Sequence, residues 1–100
     1  MFEKLKDSCE ELGGSFKEDP TINMASCKIE DTEIAYWDNQ KTITAQREGT
    51  HVQMSNVTDI TAMGPSKFYG MWRKKDRTLW VHSKEGILIV GGDGRIDMRV

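Results

Sequence analysis

The run Ile87-Leu88-Ile89-Val90 is apolar at every position and is bounded by Gly86 and Gly91. Side chains along a strand point alternately to opposite faces, so a strand apolar throughout needs cover on both of them. The rest of the chain has to supply that cover. From Phe2 to Leu12 the apolar residues Phe2, Leu5, Cys9 and Leu12 recur at helical spacing, with charged residues between them, and Gly13-Gly14 provides a stop. This predicts an amphipathic helix of about three turns, whose narrow stripe suits packing on a sheet. Ser15 to Thr21 contains Pro20 and reads as an irregular crossing. From Ile22 the spacing becomes strand-like, with Ile22 and Met24 on one side and Ala25, Cys27 and Ile29 on the other, which predicts a bulge near Met24.

The next three strands can be registered against one another. A turn at Asn39-Gln40 places Tyr36 opposite Ile43 and Ile34 opposite Ala45; a turn at Glu48-Gly49 places Ala45 opposite Val52 and Ile43 opposite Met54. Both turns yield the same apolar row, and a slip of one residue in either would send that row to water. Between Ser55 and Pro65 the signals conflict. Val57, Ile60 and Met63 are three apart, as in a helical turn, whereas Thr58, Ile60 and Thr61 are β-branched; the segment reads as a short connector ended by Gly64-Pro65.

A second meander follows. A turn at Lys75-Asp76 pairs Trp72 with Leu79 and Met71 with Trp80, and the loop from Ser83 to Gly86 sets Trp80 beside Ile89 and Val81 beside Leu88. Asp93-Gly94, read as a two-residue turn, brings Met98 opposite Ile89 and Val100 opposite Ile87. One face is then Met71, Trp80, Ile87, Ile89, Ile96, Met98 and Val100. The other is Trp72, Leu79, Val81, Leu88 and Val90, with Asp97 and Arg99 at its margin. The expected fold is α+β: an N-terminal helix packed on a strongly bent antiparallel sheet made of two meanders, or a small open barrel, of about eight strands. In it the helix covers one face of the Ile87 to Val90 ribbon and the first meander the other.

At 100 residues and 37% hydrophobic, the chain is the size of a single domain with one core. Its net charge of -2 gives it no general basic excess, so any attraction for nucleic acid has to be local. No apolar run is long enough to span a bilayer, and the start, Met1-Phe2-Glu3-Lys4-Leu5-Lys6-Asp7, is too charged for a secretory signal. These features and the presence of only two cysteines point to a cytoplasm, with Cys9 and Cys27 as thiols; the alternative is one disulfide joining the first two elements. The sequon Asn56-Val57-Thr58 carries little meaning in a chain that is not secreted.

Val90-Gly91-Gly92-Asp93-Gly94 resembles the glycine-rich phosphate motif of the NAD-kinase and diacylglycerol-kinase family. In that family the motif joins a strand to a helix, whereas Arg95 to Val100 alternates like a strand, so the run is read as a hairpin turn. The order of elements from Val52 to Gly94, with Asp59-Ile60 and Trp80-Val81-His82, is similar to the bacterial PH-like and GRAM-like binding barrels, although no helix follows it to close a barrel. Cys9, Cys27, His51 and His82 show no paired metal spacing, and no cofactor is expected. Cys9 or a serine with His51 or His82 lacks an orienting carboxylate, so an enzyme is not expected.

What remains is recognition. Lys67, Arg73, Lys74, Lys75 and Arg77 interleave with Phe68, Tyr69 and Trp72, a pattern that can hold phosphates and stack a base. Tyr69, Trp80 and His82 share a face that offers a protein contact if the helix leaves it open. Trp37, opposite Thr42 and away from the Ile34 row, is a second anchor. The leading expectation is a small non-enzymatic regulator, adaptor or inhibitor acting by protein contact through Trp37, Tyr69, Trp80 and His82. The alternative is a nucleic-acid or acidic-surface binder using the basic hairpin. The strand Arg95 to Val100 is also placed to pair with its mate in a homodimer.

Overall fold

The computed structural model describes residues 1–64 and 74–100. Within them the chain forms one helix, α1 (Phe2–Glu11), and nine strands: β1 (Ser15–Asp19), β2 (Met24–Ile29), β3 (Thr32–Trp37), β4 (Thr42–Arg47), β5 (Thr50–Met54), β6 (Val57–Met63), β7 (Thr78–Ser83), β8 (Gly86–Gly91) and β9 (Ile96–Arg99). Each strand pairs antiparallel with its neighbour in sequence except at β5 and β6, which do not pair. The result is a five-stranded sheet, β1 to β5, and a four-stranded sheet, β6 to β9, with no closed barrel. This is the expected α+β plan of a helix and two meanders.

The first meander has the register its pattern requires, with Tyr36 opposite Ile43, Ile34 opposite Ala45, Ala45 opposite Val52 and Ile43 opposite Met54. Ala25, Cys27, Ile29, Ile34, Tyr36, Ile43, Ala45 and Met54 all turn inward and are buried. Ser15–Asp19, expected to be irregular, is a strand. Its side chains are mostly exposed, so it carries no alternation to read; it is ordered by pairing with β2, Phe16 opposite Cys27. Pro20 starts a short 3₁₀ turn, capped by the Asp19 carboxylate accepting from the Thr21 N–H at 3.2 Å, and Asn23 at φ 50° reverses the chain. Met24 therefore enters β2 without the expected bulge.

The bulge lies in β6 instead. Val57 pairs with Ser83 and Asp59 with His82, so two steps along β6 match one along β7. That extra residue puts Val57 and Ile60, three apart, on the same buried face. The spacing that resembles a helical turn, and that made this segment read as a connector, is the signature of a bulged strand. Because β6 occupies the outer side of β7, Leu79 pairs with Ala62 and Trp80 with Thr61, where Trp72 and Met71 were expected. Met71 and Trp72 themselves lie outside the described residues.

The second correction is a shift of one residue in β9. Leu88 pairs with Met98 and Ile89 with Asp97, not Ile89 with Met98. The connection is a three-residue loop, closed by the Gly91 N–H donating to the Arg95 carbonyl at 2.8 Å with Gly94 at φ 88°, rather than a two-residue Asp93-Gly94 turn. Ile96 and Met98 accordingly share the side of Leu88 and Val90, and Asp97 and Arg99 share the side of Trp80.

Leu79, Val81, Leu88 and Val90 from the four-stranded sheet, the inward row of the five-stranded sheet, and Leu5, Cys9 and Leu12 of α1 form one buried cluster. Fully burying four aliphatic side chains contributes on the order of 6 to 12 kcal/mol before entropy, enough to fix how so small a domain is layered. The helix does not roof β8 as expected. It packs mainly on β6, β2 and β1, closing the seam where the two sheets meet. The Ile87 to Val90 ribbon is dry on its inner side, whereas on its outer side Ile89 is 9% exposed and Ile87 half-buried.

The seam is fastened covalently. Cys9 and Cys27, expected as thiols, form a disulfide with a Cα separation of 5.9 Å, both fully buried. Helical spacing sets Cys9 on the inward stripe, and strand alternation sets Cys27 in the inward row of β2, so the two meet where α1 crosses. Gly14 lies against this junction: a Cβ there would stand 2.8 Å from the Lys28 carbonyl oxygen and 2.9 Å from Cys9 Sγ, which only glycine avoids. Lys4 donates to Asp59 at 2.6 Å and Arg77 to Glu11 at 3.0 Å, tying both ends of α1 to the second sheet. The Lys4 hydrogen bond holds the Asp59 carboxyl below its usual range, against the opposing effect of desolvation. At the opposite end the Thr32 hydroxyl donates to the Gly94 carbonyl, joining the β2–β3 and β8–β9 turns.

Replacing Cys9 and Cys27 together by Ala opens a cross-link across a sequence separation of 18, and should lower stability by about 3 kcal/mol, read as a drop in the denaturation midpoint. A second expectation concerns alkaline pH. Burial, followed by the charge of Asp38 and the hydrogen bond donated to it, pushes the Tyr36 hydroxyl up to about 12. An unfolded tyrosine ionises near 10, so the unfolded chain binds fewer protons between these values and stability falls as pH rises through them. The loss should approach roughly 2–3 kcal/mol and should be missing in Tyr36→Phe, as measured by urea denaturation across that range.

Candidate recognition face

The two sheets face each other with their apolar rows, so each has an outer face toward solvent, and the two outer faces differ. On the five-stranded sheet the cross-strand rows are Lys17, Ser26, Ala35, Thr44 and Gln53; Lys28, Glu33, Gln46 and His51; and, at one end, Asp19, Met24, Trp37 and Thr42. A shallow groove there of about 560 Å³ is walled by charges of both signs, including Arg47 and Asp31 paired at 3.1 Å. This is an ordinary solvated face.

The outer face of the four-stranded sheet carries a different set. One row runs Thr61, Trp80, Ile89, Asp97, and the next runs Asp59, His82, Ile87, Arg99. Trp80 and His82 lie two apart on β7, so alternation puts both outside, and their rings stack at 6.3 Å with an interplanar angle of 26°. The Trp80 indole N–H donates to the Thr78 hydroxyl at 2.8 Å, so the polar edge of the ring is satisfied and its apolar surface is left for contact. His82 Nε2 lies 3.3 Å from the Thr61 hydroxyl. Beside Trp80 and Ile89 is a groove of about 520 Å³, bordered on the β9 side by Arg95, Asp97 and Arg99. Asp97 and Arg99 pair with each other at 3.3 Å. Arg95 makes no ion pair among the described residues.

Of the residues nominated from sequence, the structure brings together Trp80 and His82. Trp37 is opposite Thr42 as expected, but it is half-buried on the outer face of the other sheet, away from that pair. Lys67, Tyr69 and Arg73 lie outside the described residues, as does the side chain of Lys74. Lys75 is exposed, whereas the Arg77 side chain is 13% exposed and engaged with Glu11. Arg95, Asp97 and Arg99 were missed as neighbours of Trp80 because the two-residue turn put them on the wrong face. The signal that could have found them is the spacing of Gly91 and Gly94, which suits a three-residue loop with glycine in the left-handed position.

Chemically, the face offers aromatic and aliphatic surface edged by guanidinium groups. Asp59 is the cross-strand neighbour of His82, but its carboxylate accepts from Lys4 and from the Ile60 N–H. Cys9, a candidate nucleophile, is bonded to Cys27. Among the described residues, no group of three or more His, Cys, Asp or Glu side chains is arranged to hold a metal ion, and no helix is long and apolar enough to cross a membrane. Comparison with protein-family models, with curated proteins and with solved structures finds no match.

The register of β9 decides which residues this face contains, and it can be checked by stability. Ile96→Asp should cost about 1–3 kcal/mol in urea denaturation because it places a charge against the core, whereas Asp97→Asn should change stability by less than about 0.5 kcal/mol.

Proposed function

We propose that the chain is a small non-enzymatic binding module, a regulator, adaptor or inhibitor, that grips a partner protein with the outer face of its four-stranded sheet. The contrast between the two outer faces carries this reading. Where the outer side chains of the five-stranded sheet are mostly polar away from the Met24 and Trp37 end, the four-stranded sheet sets half-buried Trp80, His82 and Ile87 around a buried Ile89 in adjacent rows. A tryptophan with its N–H already satisfied, set among aliphatic groups and edged by arginines, has the composition of an interface hot spot. Arg95 and Arg99 favour a partner segment that brings carboxylates together with apolar side chains. Trp37, half-buried like Trp80 but on the other sheet and away from His82 and the arginines, is a secondary anchor.

The second reading is binding of nucleic acid or another acidic surface. Stacked rings beside arginines support it, since rings hold bases and guanidinium groups hold phosphates. The overall charge of -2 works against it, and so does the commitment of Arg77 to Glu11. The expected thiols belonged with the expected cytoplasmic location, a reducing compartment that would keep them unbonded. Bonded, Cys9 and Cys27 weigh against that location, because such bonds persist mainly in oxidising compartments.

Affinity capture from an extract of the native host, with the wild-type chain compared with Trp80→Ala and Trp37→Ala, tests the main reading. A protein retained by wild type and by Trp37→Ala but released by Trp80→Ala is the expected result, with an Arg95→Glu variant weakening capture by about tenfold. Equal capture by Trp80→Ala overturns it. Oligonucleotide binding that falls steeply with added salt would favour the second reading instead.

A further inference from the structure

We propose that the free edge of β9 is a self-complementary surface that pairs antiparallel with the β9 edge of a second copy about a two-fold axis at Met98. Among the described residues the four-stranded sheet ends at β9, so one side of this strand carries backbone groups with no described strand beside them. An edge of this kind attracts another strand unless something blocks it. Here the sequence favours pairing over blocking. Met98 is 41% exposed and Val100 fully exposed, although Met98 belongs to the inner row of Val81 and Leu88. That row is apolar up to the edge and stops there uncovered.

Backbone direction selects which residues can pair. The Gly91 N–H bonds to the Arg95 carbonyl, and pairing then alternates along the hairpin, so Asp97 and Arg99 turn their backbone groups toward β8. Ile96, Met98 and Val100 turn theirs outward. An antiparallel partner must therefore align outward residues with outward residues, which leaves few registers.

Charge selects among them. With the axis at Met98, Met98 faces the partner's Met98, Ile96 faces the partner's Val100, and Asp97 faces the partner's Arg99. Both sides of the new ladder match, apolar with apolar on the inner side and opposite charges on the outer side. A shift toward the β8–β9 turn sets Asp97 against the partner's Asp97, and a shift the other way sets Arg99 against the partner's Arg99; like charges directly opposed are unfavourable. Moving the axis to Ile96 would push the turn at Gly94, with its φ of 88°, into the partner's strand. Only the Met98 register keeps five residues a side with every pair favourable. The Asp97–Arg99 ion pair within each copy is exchanged for pairs across the axis, two for two.

This surface is the edge of the sheet, not its Trp80 face, so the inference stands apart from the partner-protein reading. The two do combine: an axis normal to the sheet makes one eight-stranded sheet with both Trp80 faces on the same side. Five residues a side is a small interface, so the dimer is weak and concentration-dependent.

Sedimentation equilibrium of the full chain, from low micromolar to submillimolar concentration, should show monomer and dimer in exchange. Asp97→Arg and Arg99→Asp should each weaken dimerisation by at least about tenfold, since each then opposes like charges. Mixing the two variants in equal amounts should restore a dimer, because each supplies the charge the other needs, and the double variant D97R/R99D should dimerise by itself. Circular dichroism of each variant should match wild type, as all the substituted side chains are exposed. A wild-type chain that stays monomeric throughout overturns the proposal. So does a dimer indifferent to either reversal, or a mixture that fails to recover.

Discussion

Two sheets that each bury one face need their seam sealed, and the helix α1 does this by lying across β6 from one sheet and β1 and β2 from the other. Leu5, Cys9 and Leu12 reach into the cluster that both sheets share, and the bond from Cys9 to Cys27 fixes how the helix crosses. Without that closure, the inward rows of Ala25 and Cys27 and of Ile60 would border water on one side. Of the ion pairs at the helix ends, Lys4 with Asp59 sits at the surface and orients more than it stabilises, whereas Arg77 meets Glu11 with most of its own side chain covered.

Much of this was legible before any coordinates. The first meander could be registered to the residue because two independent turns had to produce one buried row, and a wrong register would have exposed it. The helix was equally plain, its stripe and its glycine stop agreeing. Legibility failed where side-chain pattern carries little or ambiguous information. β1 is mostly exposed, so backbone pairing alone defines it. β6 was hidden because a bulge at Thr58 gives a strand the three-residue spacing of a helix. In β9, loop length and not composition sets the register, so one residue in the turn moved Asp97 and Arg99 to the other face.

That last shift also accounts for how unevenly the recognition face could be read. Trp80 and His82 were visible as a pair because alternation within a single strand places them together, whatever their neighbours do. Their surroundings depend on cross-strand pairing: β8 sets Ile89 beside Trp80 as expected, but the strand on the other side of β7 is β6, and β9 beyond β8 is shifted by one residue. The face therefore gained Thr61 from β6 and Asp97 and Arg99 from β9, residues that no local pattern ties to a tryptophan. The disulfide was open for a different reason: the geometry that joins Cys9 to Cys27 follows from the helix and strand assignments, but the redox argument pointed the other way.

The position of the disulfide along the chain has a consequence for how the molecule is assembled during synthesis. Both cysteines belong to the first 27 residues, and within each sheet every strand pairs with the one made just before it. Pairings between successive strands close the shortest loops and so cost the least chain entropy to form. Helix, hairpin and covalent link are all available on the nascent chain while the four-stranded sheet is still unmade, leaving a fastened half whose apolar side waits for β6 to emerge and complete it.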